Sequence, residues 1–201
     1  MEMMVKKYLQ KYKKVREEMD KWDQLQSRLL TQFRNASAII ERLQVLEDNK
    51  YYCGSLRSIN GLKETLYGKQ RISLETILRS MDETMGEFCS IVVSLNKIVR
   101  DSKELVKGGS VKLSKNLRQT QIGITPSIAY CLEGLEVLHE MHHSEYLLKL
   151  SVISAIPSLM LKKASCAGDL AGLRQLLVDQ PNIPKGEVQQ IFDIIFADQI
   201  E

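Results

Sequence analysis

Between Val5 and Glu47 apolar side chains return at alternating steps of three and four residues. One set of positions is Val5, Tyr12, Met19, Gln26, Phe33, Ile40 and Glu47; the other is Tyr8, Val15, Trp22, Leu29, Ala36 and Leu43. Only Gln26 and Glu47 break the apolar rule, and neither Pro nor Gly occurs from Met1 to Tyr52, so the pattern predicts one helix with a continuous seam. At ~1.5 Å per residue that helix is roughly 70 Å long. A compact domain of this size has no core of such length, and the helix must lie along partner helices of this chain or another. Up to Trp22 the seam is narrow and flanked by Lys11, Arg16, Glu18 and Asp23, as in a two-stranded coiled coil. Beyond it Leu25, Ile39 and Leu46 widen the stripe, as in a helix buried in a bundle. Val5, Tyr8, Tyr12, Val15, Met19 and Trp22 are therefore the candidate partner-binding residues. Packing of the same turns on this chain's own helices is the competing reading.

The polar run Glu47 to Gly54 ends the first helix, and Ser55 to Arg71, with Leu56, Ile59, Leu62 and Leu66 interrupted by Gly61 and Gly68, reads as a short corner helix. The repeat then returns at Leu74, Leu78, Met81, Met85, Phe88, Val92, Leu95, Val99, Ser102 and Val106, until Gly108-Gly109 stops it. Thr125-Pro126 reads as a hydroxyl cap with Pro in the first helical position, opening a third helix through Ile128, Leu132, Leu135, Leu138, Tyr146, Leu150 and Ile153 that ends near Ala155, before Pro157. Asp169 caps a short helix, and a last one carries Val188, Ile191, Phe192, Ile195 and Phe196. The predicted fold is all-α: an elongated bundle of three long helices with coiled-coil-like heptad seams, plus short C-terminal helices. Its parts are a long-helix hairpin with a corner over 1–107, a flexible basic linker over 108–124, a third bundle helix over 125–157 and a short helical segment over 158–201.

Composition agrees with helices rather than a sheet: of 201 residues, 44% are hydrophobic, 6% aromatic and only four are Pro. The net charge of +3 is too small to declare a nucleic-acid binder. Its distribution says more, because Lys6, Lys7, Lys11, Lys13, Lys14 and Arg16 face only Glu2 in the first turns, whereas the stretch from Ser165 onward is acidic. Lys7, Lys11 and Lys14 share one helical face, either as phosphate contacts or as the solvated side of a coiled coil. Cys53, Cys89, Cys131 and Cys166 are scattered without a CxxC pair, which points to reduced thiols packed as small hydrophobes. With no apolar leader and no apolar run near ~18 residues, the expectation is a soluble intracellular protein without a membrane segment.

The sharpest catalytic match is His139-Glu140-Met141-His142-His143, which as H-E-x-x-H would set His139 and His143 one turn apart to share a zinc, with Glu140 as general base. Glu145 is too near to be a third ligand, no strand is predicted to hold a substrate, and a solvated or half-buried histidine set is the better reading. Gly61 to Gln70 is no phosphate loop, since its glycines are too far apart and Gln70 stands where a metal-binding hydroxyl belongs. The sequence predicts no catalytic residue, no metal site and no cofactor.

Pro126-Ser127-Ile128-Ala129 with Leu132 and Leu135, continued by Ser144-Glu145-Tyr146-Leu147-Leu148-Lys149, resembles a known family. So does the earlier block Leu56-Arg57-Ser58-Ile59 with Leu62-Lys63-Glu64 and Lys69-Gln70. The family is AIRIM, the ribosome-maturation factors that work with a Cdc-forty-eight-like AAA+ ATPase, and Val178 to Pro184 resembles its plant members. The resemblance implies a non-catalytic helical adaptor, present in nucleus and cytoplasm, that pairs with a second small helical subunit resembling CINP and docks on the ATPase hexamer. There the complex would free factors from maturing large ribosomal subunits and, by the same implication, unload proteins at replication forks. No catalytic residue carries over. A structural coiled-coil protein of a trafficking or cytoskeletal complex would share the periodicity.

Overall fold

The seam of the first forty-odd residues does form one helix. The computed structural model describes residues 2–47, 59–108, 126–160 and 166–197, with side chains over 6–47, 59–106, 126–160 and 166–197. It contains α1 (Glu2–Glu47), α2 (Leu62–Gly108), α3 (Ile128–Met160), α4 (Ala167–Asp179) and α5 (Lys185–Ile195), and no strand among the described residues. The all-α fold of three long helices and shorter C-terminal ones is thus as the periodicity predicts.

Four local readings change, one of them at Asp169, which does not cap α4 but lies in its first turn, the helix beginning at Ala167. The corner helix expected over Ser55–Arg71 is, from Leu62 on, the first part of α2, which runs through Gly68 without a break, and its residues 55–58 lie outside the described residues. Gly61 is the residue that needs to be glycine there: at φ 73° it turns the chain in, and its carbonyl accepts the first helical bond from Thr65 N at 3.0 Å. At the start of α3 the cap is Ser127, whose Oγ accepts from Tyr130 N at 3.2 Å, and the proposed cap Thr125 lies outside the described residues. Pro157 does not end α3, which continues to Met160. Within the last turn its missing N–H removes a single bond, and its side chain is exposed, so the cost is tolerable there. The linker expected over 108–124 lies, apart from Gly108, outside the described residues, as do Asp48–Gly54.

The chain divides into two units, and α1, α2 and α3 each contribute to both. The first comprises 1–24, 88–147 and 180–201. Its core joins Tyr8, Tyr12, Val15 and Trp22 of α1 to Phe88, Leu95 and Val99 of α2, Cys131, Leu135 and Leu138 of α3, and Val188, Phe192 and Ile195 of α5, all buried. The second comprises 25–87 and 148–179. Leu29, Phe33, Ile40 and Leu43 of α1 pack there with Leu74, Met81 and Met85 of α2, Val152, Ile156 and Leu159 of α3, and Leu170 and Leu177 of α4. Polar links fix the register of α1 on α2 in this unit: Gln32 Nε2 donates to Ser80 Oγ at 2.8 Å, Thr84 Oγ1 donates to Gln32 Oε1 at 3.1 Å, and Arg28 pairs with Glu87.

Candidate functional site

The six residues assigned to a partner differ in how far the chain covers them. Val5 lies on α1, its side chain outside those described, and Met19 is half-buried. Tyr8, Tyr12, Val15 and Trp22 are at most 2% exposed, which means the chain's own helices already cover this half of the seam. Tyr8 donates its hydroxyl to the Ser102 carbonyl at 3.1 Å and Tyr12 to the Cys131 carbonyl at 2.8 Å. Burial holds the Tyr12 phenol far above its ordinary pKa, so the hydroxyl is a permanent donor; burial also pushes the Cys131 thiol up to about 11. Trp22 sets its ring edge-on to Phe88 at 4.5 Å and His142 at 4.9 Å, and donates Nε1–H to Gln180 Oε1 at 2.8 Å.

These contacts also explain how the C-terminal helix is held. Tyr12 meets Phe192 edge-on at 5.9 Å, and the Arg16 guanidinium lies 4.9 Å from the centres of both Phe192 and Phe196, whose rings are parallel. Arg16, a flanking charge in the heptad, is thus a cation clamp on α5. Gly134 makes room: a Cβ there would overlap the Tyr12 hydroxyl and lie 3.2 Å from Ile191 Cγ2. Glu145, fully buried, accepts from Asn182 N and Nδ2, each at 3.2 Å, and so ties α3 to the turn before α5.

The histidine motif divides by burial. His142 is 1% exposed and its Nδ1 lies 2.7 Å from the Leu138 carbonyl, which makes Nδ1 the protonated nitrogen of a neutral ring. Burial lowers its pKa against the opposing pull of that carbonyl and of Asp23 and Glu145. His139 and His143 stack with parallel rings, centres 5.9 Å apart, and burial beside a second imidazole lowers the pKa of His139. Among the described residues no group of three or more His, Cys, Asp or Glu is placed to hold a metal ion.

Open apolar surface lies elsewhere. In the second unit Val45 and Leu66 help line a groove of about 540 Å³ with Ala38, Glu41, Arg42, Leu46 and Gln70, and the buried Gln70 Oε1 has no hydrogen-bond partner among the described residues. Ile72 is 66% exposed and, in the first unit, Val93 is 63% exposed. Sequence reasoning passed over both because they fall outside the α2 seam; an isolated apolar residue off the seam is the signal that identifies them. It also passed over Lys149, which is fully buried and donates Nζ to Gln26 Oε1 at 2.8 Å, while Gln26 Nε2 donates to the Leu177 carbonyl at 2.6 Å. Gln26, one of two polar breaks in the α1 seam, was the visible half of that arrangement.

A family model described as "CA109-like: Ribosome biogenesis protein C1orf109-like" matches residues 2–200. No curated protein matches the chain.

Proposed function

We propose, from the premise that the chain belongs to the C1orf109-like ribosome biogenesis family, that it is a non-catalytic helical adaptor which holds an AAA+ ATPase hexamer to maturing large ribosomal subunits. The family supports the ribosomal role as such. The adaptor role rests on one observation: the apolar seams of α1 and α2 are consumed inside the chain, yet α2 keeps a large apolar side chain exposed among charged residues in each unit, Ile72 in the second and Val93 in the first. An exposed apolar residue off the seam suits contact with a helix of another protein, and the partner fitted to these residues is the second small helical subunit, resembling CINP. With Tyr8, Tyr12, Val15 and Trp22 packed internally, the contact proposed for α1 is limited to Val5, Met19 and its outer surface. The ATPase would supply the mechanical work, in nucleus and cytoplasm, and unloading of proteins at replication forks would use the same attachment. No helix among the described residues is long and apolar enough to cross a membrane.

The test is affinity purification of the tagged chain from cell extract beside an Ile72→Glu/Val93→Glu variant. The adaptor reading expects the ATPase, the second small subunit and pre-ribosomal proteins with the wild type and their loss with the variant. Recovery of self-associated chain alone, or of vesicle or cytoskeletal proteins, would overturn it.

A further inference from the structure

In the first unit α1 and α2 run antiparallel, since Tyr8 bonds the Ser102 carbonyl and Ser94 Oγ donates to Glu18 at 3.1 Å. That register sets Lys97 and Arg100 of α2 level with the turns of α1 that carry Lys7, Lys13 and Lys14. All five are exposed, and none forms an ion pair with a described residue. The neighbouring acids are in part occupied: Glu18 is held by Lys21 at 3.2 Å and Ser94, and Asp101 stabilises the charge of Lys11, whose pKa burial otherwise lowers with further repulsion from Lys14.

We propose that this cationic face of α1 and α2 binds the phosphate backbone of duplex RNA. Three features favour RNA over an acidic protein. The unpaired cations of α1 are strung along turns that expose no large apolar side chain among the described residues, and beside Lys97 and Arg100 α2 exposes Val93 alone, whereas a protein interface concentrates aromatic and apolar groups at its middle. The aromatic residues of these turns, Tyr8, Tyr12 and Trp22, are buried, which removes base stacking and leaves backbone contact as the mode. Lys7 and Lys14 stand seven residues apart, about 10 Å along the helix, so they neutralise separate phosphates. The ribosomal reading above supplies the nucleic acid's identity. The binding itself requires neither the ATPase nor a second subunit.

Fluorescence anisotropy of the purified full chain with a labelled RNA duplex of about sixteen base pairs, titrated in salt from about 50 to 200 mM, tests this directly. Wild type should bind with affinity falling linearly in log salt. Lys7→Glu/Lys13→Glu/Lys14→Glu should weaken binding at least about tenfold and flatten the slope by about two to three, while Arg71→Glu/Arg79→Glu in the second unit should bind as wild type. Circular dichroism should show equal helix content in all three, because every altered residue is exposed. No binding by wild type at the lowest salt, or a triple variant with the wild-type slope, overturns the proposal. Displacement by poly-glutamate as effective as by unlabelled duplex of equal charge also overturns it, in favour of an acidic protein. Because no partner protein is present, a negative result here leaves the co-purification result independent, and the reverse holds as well.

Discussion

At Gln180 one side chain settles a conflict between backbone and packing. The residue follows α4 with φ 44°, a left-handed conformation that costs an ordinary L-residue about 1 kcal/mol or more and favours Gly. Gln is there because its Oε1 accepts the Trp22 indole N–H. Gln180→Ala keeps the backbone cost and strands a part-buried donor, for a loss of about 1–3 kcal/mol; Gln180→Gly loses the same bond but relieves the backbone. Urea denaturation should therefore rank wild type, Gly and Ala in falling order, and a reversed order of the two variants would remove the strain argument. Gly134 makes the complementary case. Gly134→Ala should cost about 1–3 kcal/mol through overlap with the Tyr12 hydroxyl, and pairing it with Tyr12→Phe should cost less than the sum of the two single changes, since the atom in the way is gone.

At the level of an element, α3 shows why apolar periodicity finds some seams and misses others. Of its buried positions, Ile128, Cys131, Leu135, Leu138, His142, Glu145, Lys149, Val152, Ile156 and Leu159 form a continuous three-four repeat, with Gly134 and Ile153 buried beside it. Three consecutive members are ionisable, so a reading by hydrophobicity steps aside to Leu132, Tyr146 and Leu150, which are only half-buried. In α1 and α2 the seam residues are almost all apolar, and there the same reading locates the core. What sequence does not carry is which group satisfies each polar member: His142 uses the Leu138 carbonyl one turn back in α3, whereas Asn182 in the turn before α5 for Glu145 and Gln26 of α1 for Lys149 are contacts made possible by the fold. The pH behaviour of α3 follows from His142, which meets Trp22 and the charge of Asp23 from α1, Glu145 and His139 from α3 and, through Trp22, Phe88 of α2. Burial sets its folded pKa below the unfolded value of 6.5. Above that pH both states hold a neutral ring and the group is silent; as pH falls below it, the unfolded state takes a proton that the folded state resists, and stability is lost until the folded pKa is reached. Thermal melts between pH 7 and 5 should show a falling Tm whose slope is reduced in His142→Gln. An unchanged slope would assign the dependence to another group.

For the whole molecule, the question is which apolar residues hold the chain together and which are left for another protein. The first turns of α1 illustrate why sequence alone could not divide them: a heptad seam looks the same whether the partner helix is in trans or further along the same chain. The structure gives Trp22 and its neighbours internal partners and leaves Ile72 and Val93 without such cover. Charge placed in these two settings should therefore do different things. Met19→Glu/Trp22→Glu removes an aromatic that alone is worth about 3–5 kcal/mol on truncation and puts a carboxylate where Phe88 and His142 pack. Its expected outcome is loss of helix signal and of cooperative melting, with loss of partners as a consequence. Ile72→Glu/Val93→Glu changes surface residues and should melt within about 0.5 kcal/mol of wild type while releasing the partner. Circular dichroism and co-purification on the same two proteins check both halves of the argument. A folded Met19/Trp22 variant that sheds its partners would return the interface to the inner face of α1, and an Ile72/Val93 variant that keeps them would move it off the outer face of α2.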